Sequence, residues 1–148
     1  MEIKNHNILL ADDDIDDCIF FQEVLDEIPI KSKLQTFRNG VDLMSFLKKN
    51  TFSLPDILFL DLNMPMKGGV ECLTEIKSNE NLKQLPVIIF STSLNMEVVN
   101  LLYNKGANHY IRKPGEFHQL KKVVHKAITF STLKVATQPS SDNFIISP

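Results

Sequence analysis

The sequence predicts an α/β domain in which helices cover both faces of a parallel, doubly wound, five-stranded sheet. Five short strand-like segments alternate with five segments of helical periodicity, an order typical of parallel sheets joined by right-handed crossovers. Three of the strand-like segments are uninterrupted apolar runs, at residues 8–11, 57–60 and 87–90. Such runs indicate strands that are buried on both faces of a sheet.

The first part of the chain contains two strand–helix units. Residues 8–11 form the first predicted strand, three aspartates follow it, and apolar residues then recur at helical spacing until Pro29. Residues 34–37 mix polar and apolar side chains, as an edge strand does. Asn39-Gly40 marks the next turn, and a short helix follows it.

The rest of the chain repeats this pattern three times. A strand at 57–60 is followed by a helix at 70–76, a strand at 87–90, a helix at 98–102, a strand at 108–111 and a helix at 117–128. The first, third and fourth strands are the most apolar, so they are expected at the centre of the sheet, with the second and fifth at its edges. The strand order 2-1-3-4-5 satisfies this and is the flavodoxin-like (βα)5 arrangement.

Aspartates follow two neighbouring strands of this predicted sheet. Asp12 and Asp13 come directly after the first strand, and Asp61 comes directly after the third. Because the chain reverses direction between these two strands, the three side chains are expected to converge in the crevice at the strands' carboxyl ends. Unpaired carboxylates raise one another's pKa, and a divalent cation removes that conflict. Mg²⁺ suits best, since it binds one or two carboxylates and leaves room for phosphate oxygens.

Other aspartates in this region are interpreted differently. Asp16 and Asp17 belong to the body of the first predicted helix, where the helix dipole favours carboxylates near the N-terminus. We therefore expect them to stabilise the helix and not to bind a ligand. Asp14 adds a further negative charge beside the acidic pair.

Two more strand ends carry groups that bind anions. Ser91 offers a hydroxyl after the fourth strand, and Lys113 offers an ammonium after the fifth. An anion on Asp61 would lie between Mg²⁺ on one side and these two donors on the other, the electrostatic arrangement of phosphoryl transfer. Either residue alone is most often solvated surface, so the prediction of a phosphate site rests on their joint placement.

Four segments resemble the receiver domains of response regulators in two-component signalling, over about residues 5–130. They are ILLADDD at 8–14, DILFLDLNMP at 56–65, PVIIFSTS at 86–93 and HYIRKP at 109–114. The resemblance implies a phosphorylation-activated switch, a signalling domain that assists its own phosphorylation and dephosphorylation and is not an enzyme. The chain is most similar to small stand-alone receivers paired with kinases or phytochromes.

The resemblance also implies the phosphorylation site. Asp61 would accept a phosphoryl group from a sensor histidine kinase or a phosphotransfer protein. Asp12, Asp13 and Asp61 would hold Mg²⁺, with the backbone carbonyl of Asn63 as a further ligand. Gly68 departs from the family pattern, because an acidic residue often stands at that position.

The resemblance further implies a switch. Ser91 would be its hydroxyl, at a position where threonine is commoner, Lys113 would face the phosphoryl group, and Tyr110 would be its aromatic residue. Movement of Ser91 towards the phosphoryl group would let the Tyr110 ring turn inward. The alternative is that Tyr110 is a half-buried aromatic of an edge strand.

The output surface is expected on the fourth helix, the fifth strand and the fifth helix. A turn of the Tyr110 ring would change the shape of this surface. Five residues near it are candidates for contact with a partner or for a homodimer: Leu101, Leu102, Tyr103, His109 and Arg112.

Three alternative functions fit the residues less well. A haloacid-dehalogenase-type phosphatase also uses an aspartate at a strand end, but it needs a second aspartate two residues later, and Asn63 cannot supply that proton. A receiver that only binds partners is disfavoured because all the phosphorylation groups are present. A nucleotide or flavin binder needs a glycine-rich loop after the first strand, where this chain is acidic.

Length and composition fit one domain and a tail. The chain has 148 residues, of which 1–130 are expected to form the receiver domain. Residues 131–148 are rich in Ser, Thr, Gln, Pro and Asn, as a C-terminal tail is. The apolar triplet Phe144-Ile145-Ile146 is expected to dock on its own domain or on a neighbouring chain; the alternative is a mobile tail.

Charge and cysteine content favour a cytoplasmic protein. A formal net charge of −2 provides no general basic surface for nucleic acid. No apolar stretch approaches the ~20 residues of a membrane helix, and the polar N-terminus does not resemble a signal peptide. Cys18 and Cys72 are far apart in sequence and fit free thiols in a reducing compartment.

Overall fold

The computed structural model describes residues 5–132 and 138–148 of the chain. Its strands are β1 Asn5–Ala11, β2 Lys31–Phe37, β3 Ile57–Leu60, β4 Val87–Ser91 and β5 His109–Arg112. Its helices are α1 Ile15–Glu27, α2 Gly40–Lys49, α3 Gly69–Ser78, α4 Met96–Asn104 and α5 Phe117–Ser131, with a 3₁₀ turn at Ser141–Asn143. The predicted alternation of five strands and five helices is confirmed. None of the helices in the described ranges has the length and apolar character needed to cross a membrane.

The five strands are parallel and lie in the predicted order β2-β1-β3-β4-β5. At the end of β1, Ala11 is in register with Phe37 of β2 on one side and with Leu60 of β3 on the other. At the end of β4, Ser91 is in register with Arg112 of β5. The residues that follow β1, β3, β4 and β5 therefore emerge side by side at the carboxyl edge of the sheet.

Two apolar layers support this edge. Side chains of α1 and α5 pack on one face of the sheet, and side chains of α2, α3 and α4 pack on the other. On the first face the Phe21 ring packs edge-on against Phe59 and Phe90, with ring centroids 4.9 and 5.7 Å apart. Burial of each large apolar side chain contributes about 1.5–3 kcal/mol to the stability of the fold. Packing on both faces therefore holds in place the strands that carry the site.

The C-terminal segment docks on its own domain, along the outer side of β5. Tyr110 of β5 donates its backbone N–H to the Phe144 carbonyl at 3.0 Å, and Ile146 donates its own to the Tyr110 carbonyl at 2.9 Å. Phe144 is 1% exposed. The sequence predicted that this apolar triplet docks, and the structure confirms docking within the chain. β5 is the last strand of the sheet, as predicted, but the C-terminal segment covers its outer edge.

Candidate functional site

Three carboxylates meet at the carboxyl edge, as the sequence predicts. Asp12, Asp13 and Asp61 each place one carboxylate oxygen within 4.8 Å of the others. Asp12 and Asp61 are buried and Asp13 is exposed. The group is therefore open to solvent on one side and backed by the protein on the other, which suits a cation that keeps some of its waters.

Backbone hydrogen bonds continue from the sheet into the site and fix the two buried aspartates. Asp12 donates its backbone N–H to the Phe37 carbonyl at 2.9 Å, and Asp61 donates to the Ala11 carbonyl at 2.9 Å. The Asp61 Oδ1 atom in turn accepts a hydrogen bond from the Leu62 N–H at 2.8 Å. Both carboxylates thus stand on backbone that the sheet pairing holds in place.

Lys113 lies beside two carboxylates of the acidic group, those of Asp12 and Asp61. Its Nζ atom donates to Asp12 Oδ2 at 2.7 Å and to Asp17 Oδ2 at 2.9 Å, and it lies 3.7 Å from Asp61 Oδ2. The Lys113 backbone N–H donates to the Ser91 carbonyl at 2.7 Å. The ammonium is therefore held by carboxylates and close to Asp61.

The electrostatics of the site leave negative charge only partly compensated. Burial raises the pKa of Asp61 to about 6; the charge of Lys113 acts against this rise and that of Asp12 adds to it. Burial also raises the pKa of Asp12, against the hydrogen bonds from Lys113 and Asp14. For Lys113 burial lowers the pKa, but the hydrogen bonds to Asp12 and Asp17 outweigh it and the pKa is raised. Hard oxygen donors with excess negative charge fit a divalent cation such as Mg²⁺ or Mn²⁺.

Asn63 lies in the loop that follows β3. Its side chain is exposed, and its backbone N–H donates to the Asp61 carboxylate and lowers the pKa of that group. The loop is held by the N–H of Gly69, which donates to the Leu62 carbonyl at 2.9 Å. Asn63 is thus placed beside the acidic group.

Ser91 and Tyr110 are joined through one residue of the loop after β4. Ser91 is buried, and its Oγ atom lies 3.3 Å from Ser93 Oγ and 3.4 Å from Ser93 N. The Tyr110 hydroxyl donates to the Ser93 carbonyl at 2.6 Å. The ring of Tyr110 is fully buried, so the alternative of a half-buried edge aromatic is wrong.

The candidate output surface is only partly accessible. Leu101 is 45% exposed and Arg112 is exposed. Leu102 and His109 are buried, so their prediction as contact residues is wrong. The reason is packing: Leu102 points into the core beneath α4, and the C-terminal segment covers His109. Tyr103 is half-buried, and its hydroxyl donates to the Pro139 carbonyl at 2.8 Å.

Two roles near the site were not predicted from the sequence. Asp17 was interpreted as a helix-stabilising charge, but its carboxylate also bonds Lys113. Asp14 is the N-cap of α1 and accepts from the backbone N–H groups of Asp16 and Asp17, a common role for aspartate. No spacing in the sequence signalled the contact between Asp17 and Lys113, because Asp13 precedes the N-cap of α1 and shares no helix face with Asp17.

Comparison with known proteins agrees with this geometry. Residues 8–125 match the family model of the response regulator receiver domain. The response regulator Rcp1 of Synechocystis sp. is 36% identical over 138 residues, which cover 90% of this chain and 93% of that protein. Chemotaxis protein CheY-3 of Vibrio cholerae is 30% identical over 123 residues, covering 83% of this chain and 92% of that protein.

Solved structures show the same fold. The phosphorylated cyanobacterial phytochrome response regulator RcpA superposes with a TM-score of 0.79 at 36% identity, covering 93% of this chain and 100% of that chain. The Mn²⁺-bound form of Rcp1 gives a TM-score of 0.76 at 36% identity, with 91% of this chain and 99% of that chain covered. The chain therefore belongs to the response regulator receiver family, the phosphorylation-activated switch domains of two-component signalling.

Proposed function

We propose that Asp61 is the phospho-acceptor of this receiver and that its phosphorylation depends on Mg²⁺. The observation that carries the proposal is the buried Asp61 carboxylate between Asp12, Asp13 and Lys113. The phosphoryl group comes from a phosphohistidine of a sensor histidine kinase or a phosphotransfer protein. The nitrogen–phosphorus bond of the donor breaks, a bond forms between an Asp61 oxygen and phosphorus, and the released imidazole takes up a proton.

Asp12, Asp13 and Asp61 hold the metal ion in this proposal, with the backbone carbonyl of Asn63 as a fourth protein ligand. A bound Mg²⁺ supplies positive charge to the oxygens of the phosphoryl group. Burial is the main cause of the raised pKa of Asp61 and Asp12, and the charge of a neighbouring carboxylate adds to it in each case. A bound cation would offset both effects, which supports cation binding. The Mn²⁺-bound form of the relative Rcp1 supports a divalent cation, and phosphoryl chemistry favours Mg²⁺.

Lys113 and Ser91 receive the phosphoryl group on the opposite side. The Lys113 ammonium lies 3.7 Å from Asp61 Oδ2, near enough to reach an oxygen of a phosphoryl group attached there. Ser91 stands at the end of the neighbouring strand β4, where its hydroxyl would donate to another such oxygen. These contacts form only with the phosphorylated state, so they stabilise it relative to the free carboxylate.

The signal passes from Ser91 to Tyr110 through Ser93. A shift of the Ser91 hydroxyl towards the phosphoryl group breaks its contact with Ser93, whose carbonyl holds the Tyr110 hydroxyl. A change from mostly off to mostly on requires about 5.5 kcal/mol of differential stabilisation. One hydrogen bond contributes only about 1 kcal/mol, so partner binding must share in the change.

The donor kinase contacts the rim of the acidic group. Ile15 and Ile19 lie one helical turn apart on α1, and both are exposed. Their apolar face adjoins Asp13 and Asp14, so a partner helix that brings a phosphohistidine to Asp61 would cover it. Because Rcp1 and RcpA are response regulators, the latter of a cyanobacterial phytochrome, we infer a phytochrome-type histidine kinase as the donor.

Downstream association uses the α4–β5–α5 face in this proposal, either with a partner protein or as a homodimer. Leu101 and Arg112 are its exposed members among the predicted contact residues, and the C-terminal segment adds the exposed Ser147 and Pro148. The buried thiols of Cys18 and Cys72 support a reducing, cytoplasmic location. The formal charge of −2 supports a partner other than nucleic acid.

The test of the proposed function is phosphorylation by a small acyl phosphate or phosphoramidate, read by intact mass. Wild type should gain one phosphoryl group with Mg²⁺ and lose this reaction with a chelator. Asp61→Asn should gain none, whereas Asp26→Asn, which replaces an exposed aspartate of α1, should react like wild type. Phosphorylation of Asp61→Asn at the wild-type rate would disprove the assignment. A pull-down from the native cell, comparing wild type with Asp61→Asn, then identifies the partners that need the phosphoryl group.

A further inference from the structure

Asp17 makes a contact that its place in the helix does not require. Its Oδ2 atom accepts a hydrogen bond from Lys113 Nζ at 2.9 Å, across the gap between α1 and the end of β5. The Asp17 side chain is 36% exposed, whereas the Lys113 side chain is 9% exposed. Asp16, its neighbour in sequence, is exposed and serves the same first turn of α1. Asp17 therefore reaches the ammonium from the solvent side of the site.

The contact fixes where the Lys113 ammonium points. An ammonium has three N–H donors, and here one goes to Asp12 at 2.7 Å and one to Asp17 at 2.9 Å. Asp61 Oδ2 is at 3.7 Å, beyond a normal hydrogen bond. The ammonium also lies over the Phe90 ring, 5.3 Å from the ring centroid. With two donors held, the third remains for the Asp61 side of the site.

Asp12 has two competing tasks in the proposed reaction. It belongs to the acidic group that would bind a divalent cation, and it is also the nearest carboxylate to the Lys113 ammonium. A divalent cation bound to Asp12 would repel the Lys113 ammonium and weaken the hydrogen bond between Lys113 and Asp12. Asp17 lies outside the acidic group, so it neutralises Lys113 without taking an oxygen from the metal.

We propose that Asp17 is a positioning residue of the phosphorylation site, which shares Lys113 with Asp12 and so frees Asp12 for the metal. The inference rests on the proposed roles of Asp61 and Lys113. When the cation binds, Lys113 keeps a carboxylate partner in Asp17 and stays beside Asp61, where a phosphoryl oxygen can take its third donor. Without Asp17, the Lys113 ammonium would have only Asp12 and Asp61 as carboxylate partners, and it would compete with the metal ion for both.

The test compares Asp17→Asn with Asp16→Asn, which removes an equal charge one residue away. Mg²⁺ binding is followed by calorimetry or NMR, since the chain has no Trp. We expect Asp17→Asn to raise the dissociation constant for Mg²⁺ on the order of tenfold, with Asp16→Asn changed much less. Asp17→Glu, which keeps the carboxylate, should recover part of the loss. In the phosphorylation assay, Asp17→Asn should require more Mg²⁺ for half-maximal rate.

A readout without metal separates positioning from general charge. In metal-free protein, the NMR signal of the Lys113 ammonium should shift in Asp17→Asn and stay unchanged in Asp16→Asn. Equal changes in Mg²⁺ affinity for both variants, or no change in either, would overturn the proposal. If the proposed function itself is wrong, the wild-type protein will not be phosphorylated on Asp61. The Mg²⁺ and ammonium measurements do not depend on phosphorylation, so they still test the role of Asp17.

Discussion

The hydroxyl of Tyr110 donates a 2.6 Å hydrogen bond to the backbone carbonyl of Ser93, in the loop after β4. The backbone N–H of the same Ser93 lies 3.4 Å from Ser91 Oγ. One loop residue thus contacts both the candidate switch hydroxyl and the candidate switch aromatic. We therefore expect a movement of Ser91 towards Asp61 to alter the hydrogen bond that holds the Tyr110 hydroxyl.

Tyr110→Phe removes this hydrogen bond and keeps the ring. The free energy of unfolding should fall by about 1 kcal/mol, the usual contribution of one hydrogen bond, as measured by urea denaturation. Phosphorylation should continue, but phosphorylation-dependent association should weaken. Tyr103→Phe is the matched control for stability and phosphorylation, because its hydroxyl bonds Pro139 and not the loop after β4.

Ser91→Ala removes the hydroxyl at the end of β4 and leaves the buried position filled by a methyl group. The variant should be phosphorylated by small donors, at a lower rate because one phosphoryl contact is missing. It should lose the association that phosphorylation induces, as measured by size-exclusion chromatography or pull-down. If Ser91→Ala and Tyr110→Phe are both phosphorylated and associate like wild type, the route through Ser93 is incorrect.

The docked C-terminal segment should contribute to stability through one aromatic side chain. Phe144 is buried between Tyr103 and Tyr110, with ring centroids 5.1 and 6.4 Å away. Phe144→Ala should therefore lower the free energy of unfolding by about 3 kcal/mol, measured by denaturant titration. Phe52→Ala is the control, since the Phe52 side chain is fully exposed and its loss should change stability by less than about 0.5 kcal/mol. Equal stability of the two variants would show that the segment leaves the domain in solution.

The sheet and the acidic group were predictable because they depend on strand order. Uninterrupted apolar runs identify the central strands, and runs that mix polar and apolar residues identify the edge strands. The resulting strand order places Asp12 beside Asp61. Lys113 and Ser91 follow from the same reasoning, since both stand at strand ends. None of this requires knowing where a side chain points.

The contacts that sequence reasoning missed depend on side-chain direction. Asp17 and Lys113 are 96 residues apart, and no periodicity relates a helix turn to the loop after a distant strand. Leu102 and His109 were placed on the output surface by position alone, yet both are buried. The apolar triplet at 144–146 indicated docking, but the sequence did not indicate where. The docking position along β5 is defined by backbone hydrogen bonds, which the sequence does not predict.

Protonation of His109 should destabilise the folded chain, because it places a positive charge at a buried position. Its Nδ1 lies 3.1 Å from the Phe144 carbonyl, and because a carbonyl only accepts, Nδ1 must carry a proton. Burial lowers the pKa of His109 below the ordinary 6.5, although hydrogen bonds to the backbone of Phe144 and Asn143 act against the shift. As the pH falls through 6.5, His109 therefore binds a proton more readily in the unfolded chain than in the folded chain. The free energy of unfolding should decrease on acidification for this reason.

His109→Gln tests this dependence. Glutamine does not titrate, so the variant should lose less unfolding free energy than wild type between pH 7.5 and about pH 5. Denaturant titrations at several pH values measure the difference between the two profiles. His125→Gln, at an exposed position of α5, should keep the wild-type profile. Parallel profiles for wild type and His109→Gln would contradict the expectation.

Gly69 is the position where a single methyl group should damage the site most directly. It is the first residue of α3, and a Cβ atom there would overlap the Asp61 carbonyl oxygen and lie 2.8 Å from the Leu62 Cα. Both neighbours are backbone, so Gly69→Ala must displace the segment that sets the Asp61 carboxylate. We expect a loss of about 1–3 kcal/mol in the free energy of unfolding. A displacement near 1 Å should slow phosphorylation on the order of a hundredfold and weaken Mg²⁺ binding.

Gly115→Ala supplies the comparison, because a Cβ atom at Gly115 would meet nothing within 4 Å. This variant keeps the same chemical change, lies two residues after Lys113, and should match wild type in unfolding, Mg²⁺ binding and phosphorylation rate. The three measurements also separate the causes: a purely structural effect of Gly69→Ala lowers stability alone, whereas displacement of Asp61 lowers all three. If Gly69→Ala is phosphorylated as fast as Gly115→Ala, the packing of α3 against the loop after β3 does not position the phospho-acceptor.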